Sequence, residues 1–153
     1  MSTDAASAAA RRALFAAKIQ AETGIDDVMI GRLVDGFYER VRTDPLIGPV
    51  FEARIADWPL HLQKMRAFWS SVALMSGRYH GQPMAVHQPL PVDARHFDRW
   101  LALWGETAKE LCPPAAARLF IERAGSVAQS LELGIAVSRG VMLGKGERLL
   151  AEA

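Results

Sequence analysis

A chain of 153 residues, half of them apolar, fits one domain with a real core and is too apolar to stay disordered. Its 18 basic and 17 acidic residues leave a net charge of +1 and form neither a basic stripe nor an acidic tail, so nothing suggests a nucleic-acid partner. A single cysteine, Cys112, permits no internal disulfide and points to a reducing, cytoplasmic setting, and no apolar run reaches the roughly 20 residues of a membrane-spanning helix.

The Ala-rich start carries Arg11 and Arg12, as a transit peptide might, but Asp4 and Glu22 interrupt it and no apolar stretch follows the arginines. Residues 1–24 therefore read as an extension, loose or helical, ahead of a folded domain over 25–140 and a loosely ordered tail over 141–153. After Gly24, Asp26 can cap a helix on which Ile30, Leu33, Val34, Phe37 and Val41 recur at helical spacing. Asp44-Pro45 ends it, because the residue before proline avoids the helical region. A short piece, Leu46 to Phe51, then crosses to a second helix running from about Asp57 to Ser76, with His61, Met65, Phe68, Val72 and Met75 along its inner stripe and Gly77 as its stop.

Residues 79–92 contain three prolines and one glycine, which leaves room for at most one helical turn, Met84 to Gln88. An irregular stretch of this length inside a compact domain is often functional. Asp93 can cap a third long helix with Phe97, Trp100, Leu101, Trp104, Ala108 and Leu111 on one face. Pro113-Pro114 breaks it, and a last helix spans about Ala115 to Ser138 with Phe120, Ala124, Val127, Leu131 and Ile135 inward. No strand pattern emerges, so the fold class is all-α: two helices, an irregular piece, and two more.

Four histidines occur, at 61, 80, 87 and 96, with no HExxH, no zinc spacing, no GxSxG, no GxGxxG and no P-loop. One constellation remains. His87 lies in the short turn, His61, Met65 and Phe68 share a helical face, Tyr38 follows Phe37 on the first core helix, and Trp100 faces the same interior. An imidazole, apolar walls and a few polar tips are what a haem pocket needs. The same residues taken singly have plainer readings: His87 as a loop histidine among prolines, His61 as a satisfied edge residue, Tyr38 and Trp100 as core aromatics.

The segments FYERVRTDPLIGPVF, WPLHLQKMRAFWSSVALMSGRYHGQPMAVH and HFDRWLALW resemble the group III truncated haemoglobins, in the right order, over roughly residues 26–138. The resemblance implies a truncated globin fold, a two-over-two helical sandwich around haem b. It also implies His87 as the proximal iron ligand and Tyr38, His61 and Trp100 on the distal, ligand-binding side. Phe37, Phe51, Met65, Phe68 and Trp69 are implied as cofactor contacts or core, and His96, with Arg95 or Arg99, can approach a propionate. His80 reads as solvent-facing.

The function implied is binding of O₂, NO or CO at a five-coordinate iron, with high O₂ affinity because donors face a partly charged ligand, which suits chemistry on the bound ligand better than oxygen transport. The first rival is a haem redox enzyme, an NO dioxygenase or peroxidase-like protein, needing a separate reductase because the chain carries no flavin or nicotinamide motif. The second is a haem-free helical interaction module. An unperturbed His61, titrating near about 6.5, would open the pocket by swinging out when charged.

Overall fold

A computed structural model describes residues 2–151 and contains, among them, seven helices and no strand. Helix α1 spans Ser2–Thr23, α2 Asp27–Thr43, α3 Gly48–Arg54, α4 Trp58–Leu74, α5 Pro83–His87, α6 Ala94–Leu111 and α7 Pro114–Ser138. None is long and apolar enough to cross a membrane.

Local chemistry sets most boundaries. The Asp26 carboxylate accepts from the Met29 amide at 2.8 Å, and Asp57 accepts from Leu60 at 3.1 Å, each satisfying an orphan donor of a first turn. Asp93 caps α6 by accepting from Arg95 at 2.9 Å, while its own amide donates to His96 Nδ1 at 3.1 Å, closing a capping box. Proline stands in the first turn of α3, α4, α5 and α7, where its missing N–H costs nothing.

Two boundaries depart from the sequence reading. The crossing piece is itself helical, as α3, because Gly48 lets it sit against the end of α2. A Cβ there would come within 2.8 Å of the Val41 carbonyl oxygen. Helix α4 stops at Leu74 rather than Ser76, since Met75 turns left-handed at φ 53° and caps it through Ser71. Met75 is consequently exposed and not part of the inner stripe.

Helices α2 and α4 pack together, α6 and α7 pack together, and α2 crosses α6 to join the two pairs. Helix α1 lies on α4 and α7 and is docked through Phe15, Ala16 and the buried Ile19. The core has two parts. The larger is built around Leu33, Val34, Phe37, Trp69, Trp104 and Phe120, and the smaller around Val92, Phe97, Ile135, Ala136 and Leu149. Each large side chain removed from water is worth about 1.5–3 kcal/mol. Trp100 and Leu101 touch both parts.

Over residues 139–151 the chain has no regular structure but is tied down. Arg139 donates to the carbonyl oxygens of Val92 and Leu90 at 3.0 and 2.7 Å. Arg148 holds the buried Glu132 carboxylate at 2.8 Å and reaches Asp98 at 2.7 Å. The Leu149 amide donates to Glu132 at 3.2 Å, and its carbonyl accepts from Ala94 at 2.7 Å. A buried carboxylate is tolerated here because every partner it needs is present.

Candidate functional site

Helix α5 is one turn long and ends on His87. A carbonyl can only accept, so the 2.6 Å contact between His87 Nδ1 and the Pro83 carbonyl oxygen fixes the hydrogen on Nδ1. Nε2 is then left with its lone pair free, and the ring is held in one orientation, as a metal-binding imidazole requires. Among the described residues, no three His, Cys, Asp or Glu side chains converge to hold a metal by themselves. A single imidazole suits an iron whose other equatorial bonds come from a porphyrin.

Phe51, Met65, Phe68 and Val72 pack on the larger core on one side and remain half-exposed on the other, and Trp100 and Leu101 stand between the two cores. These are the apolar walls that a flat hydrophobic group needs. Phe37 and Trp69 have no open face, at 1% and 2% exposure, so they back this wall rather than form its surface.

Around Phe51 the structure gathers four rings. Tyr38 meets Phe51 at 5.6 Å, Trp58 at 5.8 Å and His61 at 5.1 Å between centroids, and Trp58 meets His61 at 5.7 Å, all edge to face. Phe37 links this cluster to Trp100 at 5.8 Å. Burial pushes the Tyr38 phenol well above its ordinary value, so it stays protonated and can donate. His61 is pushed down to about 4, first by burial and then by the positive charge of Lys64. It is therefore neutral at physiological pH. Two buried nitrogens, Trp58 Nε1 and His61 Nε2, have no hydrogen-bond partner. Leaving such a group unpaired costs about 1–3 kcal/mol, so two of them side by side mark a place where something else bonds.

The Trp58 nitrogen was not among the residues singled out from the sequence. Its position three residues before His61 puts both on one helical face, but that spacing does not show that its nitrogen lacks a partner. Arg42 lies 4.3 Å over the Trp58 ring and pairs with Glu52 at 3.1 Å, which fixes the indole from outside.

The remaining candidates are otherwise engaged. His96 uses Nδ1 in the α6 cap. Arg95 grips Asp93, holding that carboxyl down at about 2, and Arg99 donates to Asp44 at 2.6 Å. His80 is exposed.

A family model described as bacterial-like globin matches residues 22–117. A group 3 truncated haemoglobin of Campylobacter jejuni is 31% identical over 113 residues, covering 71% of this chain and 89% of that protein. This chain belongs to the group III truncated haemoglobins. The crystal structure of a group III truncated haemoglobin from the same organism, also 31% identical, superposes with a TM-score of 0.65 over 70% of this chain and 88% of that one. A truncated haemoglobin from Bacillus subtilis, described as oxygen-avid, gives 27% identity and a TM-score of 0.59 over 71% and 94%.

As a truncated haemoglobin the chain is a haem-binding globin, and its residues fit that group: a tautomer-fixed imidazole, half-open apolar walls, and orphaned buried donors. In this family's terms, α2 with α4 and α6 with α7 are the two helical pairs of the sandwich.

Proposed function

We propose that this truncated haemoglobin binds haem b through His87 Nε2 and retains diatomic gases, O₂ foremost, against Tyr38, His61, Trp58 and Trp100. Haem, when bound, would supply a ferrous iron that His87 would hold and that can take up O₂, NO or CO. The observation that carries the reading is the Nδ1–H donated to Pro83, which leaves Nε2 as the free ligand atom. Phe51, Met65, Phe68 and Trp100 exclude water from the flat group, and Tyr38 holds its phenolic proton ready for a polar ligand. High O₂ retention follows from several donors facing one small volume, and the oxygen-avid description of the Bacillus subtilis relative supports it. Such retention suits chemistry on the gas or storage better than oxygen transport. Turnover of NO or peroxide is a second reading. NO turnover needs electrons from a separate reductase, peroxide turnover takes them from a donor substrate, and a stack of indoles reaching the site favours the latter. Cys112, buried and without a second cysteine, is consistent with a cytoplasmic protein.

The test is the visible spectrum of the purified protein, first as isolated, then reduced with dithionite, then with CO. A Soret band that shifts with CO is the expected result, and no band after added haemin would leave only a helical interaction module.

The depressed His61 value changes what pH should do. In the unfolded chain His61 takes its proton near 6.5, but in the folded protein only near 4. Between those values the unfolded state binds more protons, so this residue destabilises the fold as pH falls from about 6.5 to 4 and is without effect above that window. A swing-out driven by charge near neutrality is therefore not expected, and CO association should be flat from pH 5 to 8. Acid-unfolding curves of the native protein and of His61→Leu should diverge only below about pH 6.5. A divergence at higher pH would contradict the buried, neutral ring.

A further inference from the structure

The core contains an unbroken series of aromatic rings, of which ligand binding uses Trp100 and Phe68 but not Trp104, Trp69 or Tyr79. Trp100, at the border of the site, lies parallel to Trp104 at 6.1 Å and 5° between planes. Trp104 stacks on Trp69 at 4.2 Å and 19°. Trp69 meets Phe68 at 5.4 Å, and Phe68 meets Tyr79 at 5.2 Å, both edge to face. Trp104 and Trp69 are 1% and 2% exposed, whereas Tyr79 is half-buried, in the loop before α5. Its hydroxyl lies over Gly81, where any Cβ would collide with it.

Resting on the haem reading above, we infer that this series is a hole-transfer route that carries oxidising equivalents from the haem site to Tyr79, where small phenol-class donors are oxidised at the surface with hydrogen peroxide as the oxidant. Indole and phenol are the side chains most readily oxidised by one electron, and stacked rings in contact give the overlap that lets an electron pass. The balance is H₂O₂ + 2 ArOH → 2 H₂O + 2 ArO•. In each half-turn one electron passes from Tyr79, across Phe68, to Trp69 and on through Trp104 and Trp100. The Tyr79 phenol gives its proton to water and becomes a phenoxyl radical. An external phenol then returns one electron and one proton, restoring Tyr79.

The interior favours passage over trapping. Trp104 donates its indole N–H to the Phe120 carbonyl at 3.1 Å, an acceptor too weak a base to remove the proton. An indole oxidised there remains a cation in an apolar core, which is costly, so the charge moves on to the ring that can release a proton. Phe37 opens a branch towards Tyr38, at 5.0 Å from both Trp104 and Tyr38, but Tyr38 is 6% exposed whereas Tyr79 is only partly buried.

The experiment uses the haem-loaded ferric protein, its Soret band recorded first and its CO shift checked on a dithionite-reduced aliquot, mixed with an equivalent of hydrogen peroxide and a nitroso spin trap in the absence of a donor. The adduct is located by peptide mass spectrometry and the radical identified by freeze-quench electron paramagnetic resonance. Tyr79 is expected to carry the main adduct. In Trp104→Phe, and separately in Trp69→Phe, that adduct should fall several-fold while oxidation accumulates on Trp100. In Tyr79→Phe it should vanish. The two tryptophan variants interrupt the same route at different rings, so one that folds poorly leaves the other to decide. Undiminished labelling of Tyr79 in a tryptophan variant that keeps its CO shift would overturn the route, as would an adduct on Tyr38 in place of Tyr79. The lack of any Soret band before peroxide would overturn the cofactor reading and the route with it.

Discussion

Replacing His87 with alanine is expected to weaken haem retention by more than about 100-fold, because disturbing only the outer partners of a metal ligand already costs roughly 10–100-fold. Helix α5 is short and carries no buried residue, so the variant should keep its helical content and lose the cofactor rather than the fold. Added imidazole should restore a five-coordinate spectrum by filling the space the ring vacates. Transfer of haem to an apo-globin acceptor, followed at the Soret band, measures the effect. A variant that retains haem with an unchanged ferrous spectrum would hand the ligand role to another histidine, and His96, whose Nε2 is not used by the α6 cap, would be the first to replace.

The second large effect is expected from Tyr38→Phe. A hydrogen bond to a charged acceptor contributes about 1.5–3 kcal/mol, and each 1.4 kcal/mol is tenfold in an equilibrium constant. O₂ dissociation should therefore accelerate by roughly 10- to 100-fold, while CO, which carries less charge, should respond far less. Stopped-flow displacement of O₂ by CO gives both numbers. The ring environment barely changes, since Phe keeps the contacts to Phe51, Trp58 and His61. An unaltered O₂ off-rate would remove Tyr38 from the donor set. In that case Trp58→Phe becomes the informative variant, because its indole nitrogen is buried and unpaired beside the same ring.

Much of this architecture was written in local signals. Asp26, Asp57 and Asp93 each announce a helix start, and Asp44-Pro45 announces an end, because capping and proline sterics act within three residues. What escaped depends on distant partners. Helix α3 exists because Gly48 meets the Val41 carbonyl, a close approach that no window on residues 46–51 contains. Met75 looked like the last rung of an inner stripe, yet its left-handed turn swings it outward. His87, Tyr38 and His61 could be placed from the resemblance and their spacing. Trp58 could not, because its significance lies in one nitrogen left without a partner, and periodicity carries no record of hydrogen bonds. In the same way, the three glycines after residue 139 conceal an ion pair whose acceptor, Glu132, lies back on α7.

The clamp made by Arg139 has a consequence for the order of assembly. It grips the two carbonyls just after His87 from 47 and 49 residues downstream. At a synthesis rate of about 5–20 residues per second, the ribosome makes His87 and its loop several seconds before their anchor exists. Through that interval the ring cluster of α2, α3 and α4 can already form, and the His87 ring can already meet the Pro83 carbonyl. What waits is the stretch from Leu90 to Val92, which is fastened to the end of α7 only after the chain has passed residue 139.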